Sequence, residues 1–349
     1  MERMNRRSQN RKLTAPPRHV KRDSTENELI QRIRSISDQP QGSYLVLGIG
    51  DDAALFKPKD GCQTILTCDW FLESTHFLLE KHPADAVGWK CLARAASDIA
   101  AMGGQARCFL LSLALPATRT GRWLNEFLAG LKRAARKFDC PLAGGDTTRR
   151  AEIIINTTVI GEIESGKATL RSGANPGDVI FVSGRLGEAE LGLRLLRNRP
   201  HSKNIKNRHL KKHLYPEPRL QLGQWLVKTQ VVTSMMDLSD GLSSDLSRLC
   251  SASNVGAEIL VEKLPTVKLA EDVRDFDRLQ LALHGGDDYE LLFTVPGRKS
   301  QSVPPSFKGV KLTAIGEITD RSGVCLVHSD SKKSPLQSHG WDPFRKSVK

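Results

Sequence analysis

The chain has 349 residues, too many for one ordinary core and suited to two domains of about 100–200 residues each. Its 39% hydrophobic and 26% charged residues specify a packed globular protein and exclude wholesale disorder. The net charge of +13 is confined to two stretches, residues 1–25 with eight Lys/Arg against Glu2 and Asp23, and residues 194–213 with eight and no acid, so the body of the protein is close to neutral.

Residues 1–24, rich in Arg, Asn, Ser and Pro, read as a disordered basic tail. Contact with nucleic acid or an anionic surface, or an Arg-rich transit peptide, are the alternatives for it. Thr25-x-x-Glu28 is a capping box ahead of Leu29, Ile30, Ile33 and Ile36 at helical spacing. Strands are predicted at 44–47 and 64–68, then a helix over about 83–102 that stops at Gly103-Gly104. An apolar strand at 108–115 precedes a helix with Trp123, Phe127 and Leu131 on one face, a core stripe. Strands at 140–143 and 153–163 close the first half.

The second half opens with the turn-rich run 171–178, a strand at 179–183 and a helix over 187–196. That helix leads into the basic segment, read as a surface loop, and a further helix follows at 218–229. After an Asp-rich stretch at 235–246 come strands near 258–261, 290–295 and 312–317. The irregular alternation predicts α/β or α+β layers in two domains, 25–165 and 166–349, with no repeat of 20–50 residues. The longest apolar run, 108–115, is far short of the ~20 residues that span a bilayer, and no apolar stretch follows the basic start as in a secretory signal. Seven cysteines without a C-x-x-C pair fit a reducing, cytoplasmic setting and argue against structural zinc.

The chemistry lies in recurrent aspartates beside Gly, Ser or Cys: Gly50-Asp51-Asp52, Thr67-Cys68-Asp69, Ser97-Asp98, Gly144-Gly145-Asp146, Asp237-Leu238-Ser239-Asp240-Gly241 and Gly285-Gly286-Asp287-Asp288. One Gly-Asp pair marks an ordinary turn. Six sites, several directly after apolar strand residues, point further. Carboxylates gathered at strand ends repel unless a cation sits between them, and Mg²⁺ binds through carboxylates, water and phosphate oxygens. Several such ions around a polyphosphate would neutralise and align it for transfer. The run 161–168, GEIESGKA, nearly spells a P-loop, but Ala168 lacks the Mg²⁺-binding hydroxyl and Glu162 and Glu164 would face phosphate.

In this order the runs GIGDDAAL (48–55), THF (75–77), SDIAAMGG (97–104), GGDTTR (144–149), RSGANPGD (171–178), DLSDGLSSDL (237–246) and GGDDYELLFT (285–294) resemble the thiamine-monophosphate kinases, over nearly everything from residue 43 to 344. The resemblance implies the two-domain fold of the aminoimidazole ribonucleotide synthetase group, with an N-terminal sheet that pairs across a homodimer and a C-terminal α/β domain. It implies transfer of the ATP γ-phosphoryl to thiamine monophosphate, giving thiamine diphosphate with several Mg²⁺ ions. Carried over by motif, Asp52, Thr67, Cys68, Asp69, Asp98, Asp146, Asp237 and Asp240 are the implied metal set. Gly145, Asp146, Arg171 and Ser239 are the implied nucleotide contacts, and His76, Asp287 and Trp341 the acceptor contacts. Cys68 stands where the family has Thr, and a thiol is a poor Mg²⁺ ligand, so only its carbonyl would serve. Asp287 is one methylene shorter than the family's Glu. The competing readings are a synthetase of the same group and a nucleic-acid-binding relative; the latter has basic segments without interleaved aromatics or a binding motif.

Overall fold

The computed structural model describes residues 25–36, 44–49, 52–198, 208–269 and 276–344. The basic tail lies outside them. Helix α1 (Glu26–Arg34) starts at the expected capping box, in which the Thr25 hydroxyl accepts the Glu28 N–H and the Glu28 carboxylate accepts the Thr25 N–H. A short pair, β1 (Leu45–Leu47) and β2 (Leu55–Phe56), precedes a four-stranded sheet made of β3 (Cys62–Leu72), β4 (Gln105–Leu115), β5 (Leu142–Arg149) and β6 (Ile154–Glu164). Its order is β3-β6-β4-β5, with only the β4/β5 pair parallel.

Helices α2 (Ala84–Ala101) and α3 (Arg122–Phe138) bury one face of this sheet around Leu92, Ile99, Phe109, Phe127 and Val159. The two helices approach closely because Gly88 and Gly130 lie where they cross. A Cβ on Gly88 would come within 2.0 Å of the Phe127 carbonyl oxygen, and one on Gly130 within 1.8 Å of that of Asp85. The stripe of Trp123, Phe127 and Leu131 is core, as its spacing predicts.

The second half is an eight-stranded mixed sheet. It comprises β7 (Asp178–Ser183), β8 (Ser234–Leu238), β9 (Gly256–Leu260), β10 (Glu290–Pro296), β11 (Ser306–Phe307), β12 (Val310–Thr319), β13 (Gly323–Val327) and β14 (Lys333–Pro335). The order is β14-β13-β9-β12-β7-β10-β8, with β11 beside β12. Around it lie α4 (Glu188–Asn198), α5 (Arg208–Leu214), α6 (Leu220–Lys228), α7 (Leu242–Ser253) and α8 (Arg278–His284). Leu292 of β10 packs with Leu242 and Leu246 of α7. Its neighbours Leu291 and Phe293 face Leu222 and Leu226 of α6 and the end of α2, the period-two alternation of a strand buried on both faces. Helix α2 therefore touches both halves.

Three expectations need correction. Strand β3 runs on to Leu72, so Asp69 projects from the middle of a strand; β5 likewise runs through GGDTTR to Arg149. Both are held by ladder pairing with β6 and β4, which overrides the turn-like Asp and Gly content. The basic segment is not a surface loop where it is described: α5 forms there, with His209, Leu210, His213 and Leu214 buried. Residues 199–207 of that segment lie outside the described residues.

Candidate active site

A cavity of roughly 650 Å³ lies between the halves. One wall is acidic. Residues two apart on a strand share a face, so Thr67 and Asp69 of β3 point together, and the Thr67 hydroxyl donates to the Asp98 carboxylate on α2. Asp237, near the end of β8, and Asp240, in the following turn, complete the wall. That turn is shaped by Asp245 in the first turn of α7, whose Oδ2 accepts the backbone N–H groups of Ser239, Asp240 and Gly241, each at 3.1 Å. Gly241 takes φ +108 there, with a Cβ position 2.8 Å from the His284 carbonyl carbon, so only glycine fits.

Within the acidic wall Asp240 is paired with Arg248, but Asp69, Asp98 and Asp237 are short of positive charge. Burial pushes Asp69 up to about 6; Arg94 opposes this, while Asp98, Asp240 and Asp287 add to it. Burial likewise raises Asp98, against Thr67, Arg171 and Arg94. Asp237, 3% exposed, is raised by burial and then by Asp98. Carboxylates that hold protons this tightly are stabilised by an added cation. Among the described residues no group of three or more acidic, His or Cys side chains forms a ready metal cage. The donors that are present, the Asp69, Asp98 and Asp237 carboxylates and the Thr67 hydroxyl, are hard oxygen ligands, the kind that bind Mg²⁺ alongside water and phosphate oxygens.

The opposite wall is self-neutralised. Lys90 and Arg94, one turn apart on α2, both reach Asp287: Lys90 Nζ lies 2.8 Å from Oδ2 and Arg94 Nη1 3.4 Å from Oδ1. The Tyr289 hydroxyl donates to Asp287 Oδ1 at 2.7 Å. Burial alone would raise this carboxyl, but Lys90 and Arg94 outweigh it and hold it far below the usual range. The backbone is left-handed at Asp287 and Tyr289, with φ of 67° and 48°. The neighbouring acids are structural. Asp288 accepts the Ala189 N–H at 3.0 Å at the start of α4, and Glu290 binds Lys212 at 2.7 Å and Arg219 Nε at 2.6 Å.

His76 lines the cavity with its Nδ1 accepting the Leu72 amide at 3.0 Å. Burial, then Arg94, lowers it to about 4, so at neutral pH it is an uncharged ring with its proton on Nε2. Trp341 is 47% exposed over the same cavity. Its backbone N–H donates to the Asp240 carbonyl at 2.9 Å, and the Gly340 N–H to Ser244 Oγ at 3.1 Å.

Of the residues singled out in the sequence, Asp69, Asp98, Asp237, Ser239, Asp240, His76, Asp287 and Trp341 line this one cavity. Thr67 joins through Asp98, and Arg171 through its charge on Asp98. Four neither line it nor join it in this way. Asp52 is exposed beyond β1, and Gly145 and Asp146 are exposed on edge strand β5. The Cys68 thiol lies on the other face of β3, where it accepts from Asn156 Nδ2 at 3.0 Å. Sequence reasoning missed Lys90, Arg94, Tyr289 and His213. The available signal was two cations four apart inside the otherwise apolar run VGWKCLARAA, a pattern that needs a buried anion.

The chain matches the AIR synthase related protein family, its N-terminal domain over residues 50–163 and its C-terminal domain over 175–328. The thiamine-monophosphate kinase of Escherichia coli K12 is 38% identical over 304 residues, 85% of this chain and 92% of that one. A solved thiamine-monophosphate kinase from Stenotrophomonas maltophilia K279a is 34% identical with a TM-score of 0.76, covering 88% of this chain and 96% of its own. A solved ThiL protein complexed with AMPPCP and TMP is 32% identical with a TM-score of 0.72, covering 91% and 97%. With its two main sheets and an aspartate-lined cavity between the halves, the chain belongs to the thiamine-monophosphate kinase family.

Proposed function

We propose that the chain transfers the γ-phosphoryl group of ATP to thiamine monophosphate, forming thiamine diphosphate. The observation that carries this reading is the convergence of Asp69, Asp98 and Asp237, short of counter-charge, with Asp287, His76 and Trp341 around one cavity. Asp69, Asp98, Asp237 and Asp240 would hold Mg²⁺, joined by Thr67, Asp52, Asp146 and the Cys68 carbonyl. Bound there, Mg²⁺ supplies neutralisation of the triphosphate charge. Gly145, Asp146, Arg171 and Ser239 are the proposed nucleotide contacts.

The acceptor side follows from the charges. A phosphate monoester with a second pKa of about 6 is largely dianionic at neutral pH, so the nucleophile needs no general base. Neutral His76 offers its Nε2–H to a phosphate oxygen, Asp287, fixed by Lys90 and Arg94, meets the thiamine moiety, and Trp341 stacks on the ring. Positioning and exclusion of water are then the remaining tasks of the protein.

The reading includes a homodimer, supported by the outer face of β3, where Leu66 and Trp70 are 71% and 56% exposed. It also includes a cytoplasmic location and two domains, 25–165 and 166–349; among the described residues no helix is long and apolar enough to cross a membrane. The decisive experiment measures ATP consumption with thiamine monophosphate, thiamine and aminoimidazole precursors, with mass detection of product. Thiamine diphosphate from the monophosphate alone is expected; turnover of an aminoimidazole substrate instead would transfer the chain to the synthetases.

A further inference from the structure

At the margin of the same cavity, which His82 and His213 both line, a chain of buried side chains runs to Asp287 and has no part in the reaction just described. His82, in the turn before α2, places its Nε2 3.0 Å from Nε2 of His213 on α5. His213 Nδ1 lies 3.3 Å from Lys90 Nζ, which in turn reaches Asp287 at 2.8 Å. His82 is 5% exposed, and Lys90 and His213 are each 1% exposed. Two of the four groups come from the N-terminal half and two from the C-terminal half, so the chain also ties the halves together.

The geometry orders the protons along it. Burial lowers the proton affinity of Lys90, but its ion pair with Asp287 at 2.8 Å opposes this; as the ammonium of that pair it can only donate, so His213 Nδ1 accepts. A neutral imidazole carries one N–H, which then sits on Nε2 and donates to His82 Nε2. His82 in turn carries its proton on Nδ1, 3.2 Å from the Leu78 carbonyl oxygen. One donor competes for that Nδ1: the Leu78 amide, 3.0 Å away. The reverse order would satisfy this amide but would set an N–H of His213 against the Lys90 ammonium. A charge-assisted bond is about twice as strong as a neutral one, so Lys90 dictates the direction. Burial, followed by the Lys90 charge, lowers both rings, His82 to about 4, which keeps them neutral at pH 7.

We propose that His213 and His82 are positioning residues, a proton-ordered relay that holds Lys90 on Asp287 and so aims the carboxylate that selects the acceptor. The proposal deepens the reading of Asp287 given above and rests on it. Lys90 has a long, rotamer-rich stem, and without His213 one of its N–H groups is buried with no partner. Asp287 sits in a left-handed backbone conformation that costs free energy unless its side chain is anchored.

Two measurements test the relay. In ¹⁵N-histidine spectra of the whole protein, with His82→Gln and His213→Asn used for assignment, His213 is expected as the Nε2–H tautomer and His82 as the Nδ1–H tautomer. The opposite tautomers, or a charged His213 at pH 7, would overturn it. In steady-state kinetics, His213→Leu is expected to raise the KM for thiamine monophosphate about tenfold and leave that for ATP within about twofold. His213→Asn, whose amide oxygen replaces Nδ1 as acceptor, is expected to restore most of the loss; if His213→Leu does not fold, this variant and the spectra carry the test. Equal shifts in both Michaelis constants, or no rescue by Asn, would overturn the relay. Asp287→Ala separates the two ideas: an unchanged acceptor KM there overturns the Asp287 reading and the positioning role together. A raised acceptor KM in Asp287→Ala with none in His213→Leu overturns the relay alone. If the wild-type protein does not use thiamine monophosphate, the functional reading fails and the tautomer spectra still decide the proton order.

Discussion

The two walls of the cavity use the same residue in opposite ways. Asp237 is buried and Asp69 and Asp287 are partly so, yet the first two on one side have raised proton affinity and Asp287 on the other has it lowered. Burial acts in the same direction on all three. The difference is supplied by α2, which directs Lys90 and Arg94 at Asp287 and leaves Asp69 only an Arg94 nitrogen at 4.0 Å. Apart from Asp240, which pairs with Arg248, one wall thus leaves its carboxylates without a close cation and is suited to receive one; the other is complete within the protein and suited to hold a fixed geometry. A buried carboxylate is therefore to be classified by its counter-charges before its depth.

Substitutions can break this contrast. The largest effect is expected on the cation-poor wall: Asp69→Asn should lower kcat at saturating ATP and Mg²⁺ about a hundredfold or more, since it removes charge stabilisation from the reacting phosphates. Its melting temperature without Mg²⁺ should hold or rise, because one of several crowded like charges is gone. More than half of wild-type activity in this variant would dissolve the distinction between the walls.

The self-neutralised side should respond through stability. Glu290 is 1% exposed and binds both Lys212 and Arg219, so Glu290→Gln leaves two cations without their partner and should cost roughly 3–5 kcal/mol in urea unfolding. Burial pushes the Glu290 carboxyl up, but Lys212 and Arg219 prevail and hold it at about 2, against an ordinary 4.5. A carboxyl depressed in the folded state contributes stability that is complete above the unfolded value and is lost as pH falls through the folded one. The wild-type acid limb should therefore carry a slope between pH 4.5 and 2 that the Gln variant lacks.

A smaller, sharper effect is expected at the strap that carries Trp341. A Cβ on Gly340 would come within 2.2 Å of the Asp240 carbonyl and 2.5 Å of Ser244 Oγ. Gly340→Ala should displace the indole and raise the acceptor KM by up to about tenfold with the ATP KM unchanged, as expected when positioning alone is lost. Parallel shifts in both constants would mean that the strap supports the nucleotide side as well. The smallest effect is expected from the basic tail: removal of residues 1–23 should alter neither Michaelis constant by more than about twofold.

Much of this was legible in the sequence because it is local. The Thr25/Glu28 box, the stripe of α3 and the stop of α2 at Gly103-Gly104 depend on neighbours within a turn or two, and each forms where the spacing predicts. The order of the aspartate motifs likewise pointed to the acidic wall and to Asp287. What the sequence could not express was partnership across distance. Nothing near Asp287 in the chain announces Lys90 or Arg94, nearly two hundred residues earlier, nor does the basic run at 208–214 announce a buried helix that brings His213 behind them. A side chain's charge state and a strand's true length are settled by what other elements bring within a few ångströms. Sequence by itself determined which carboxylates are present and in what order. Tertiary structure alone decided which of them meet a cation, because Coulomb interactions and desolvation act through space and not along the chain.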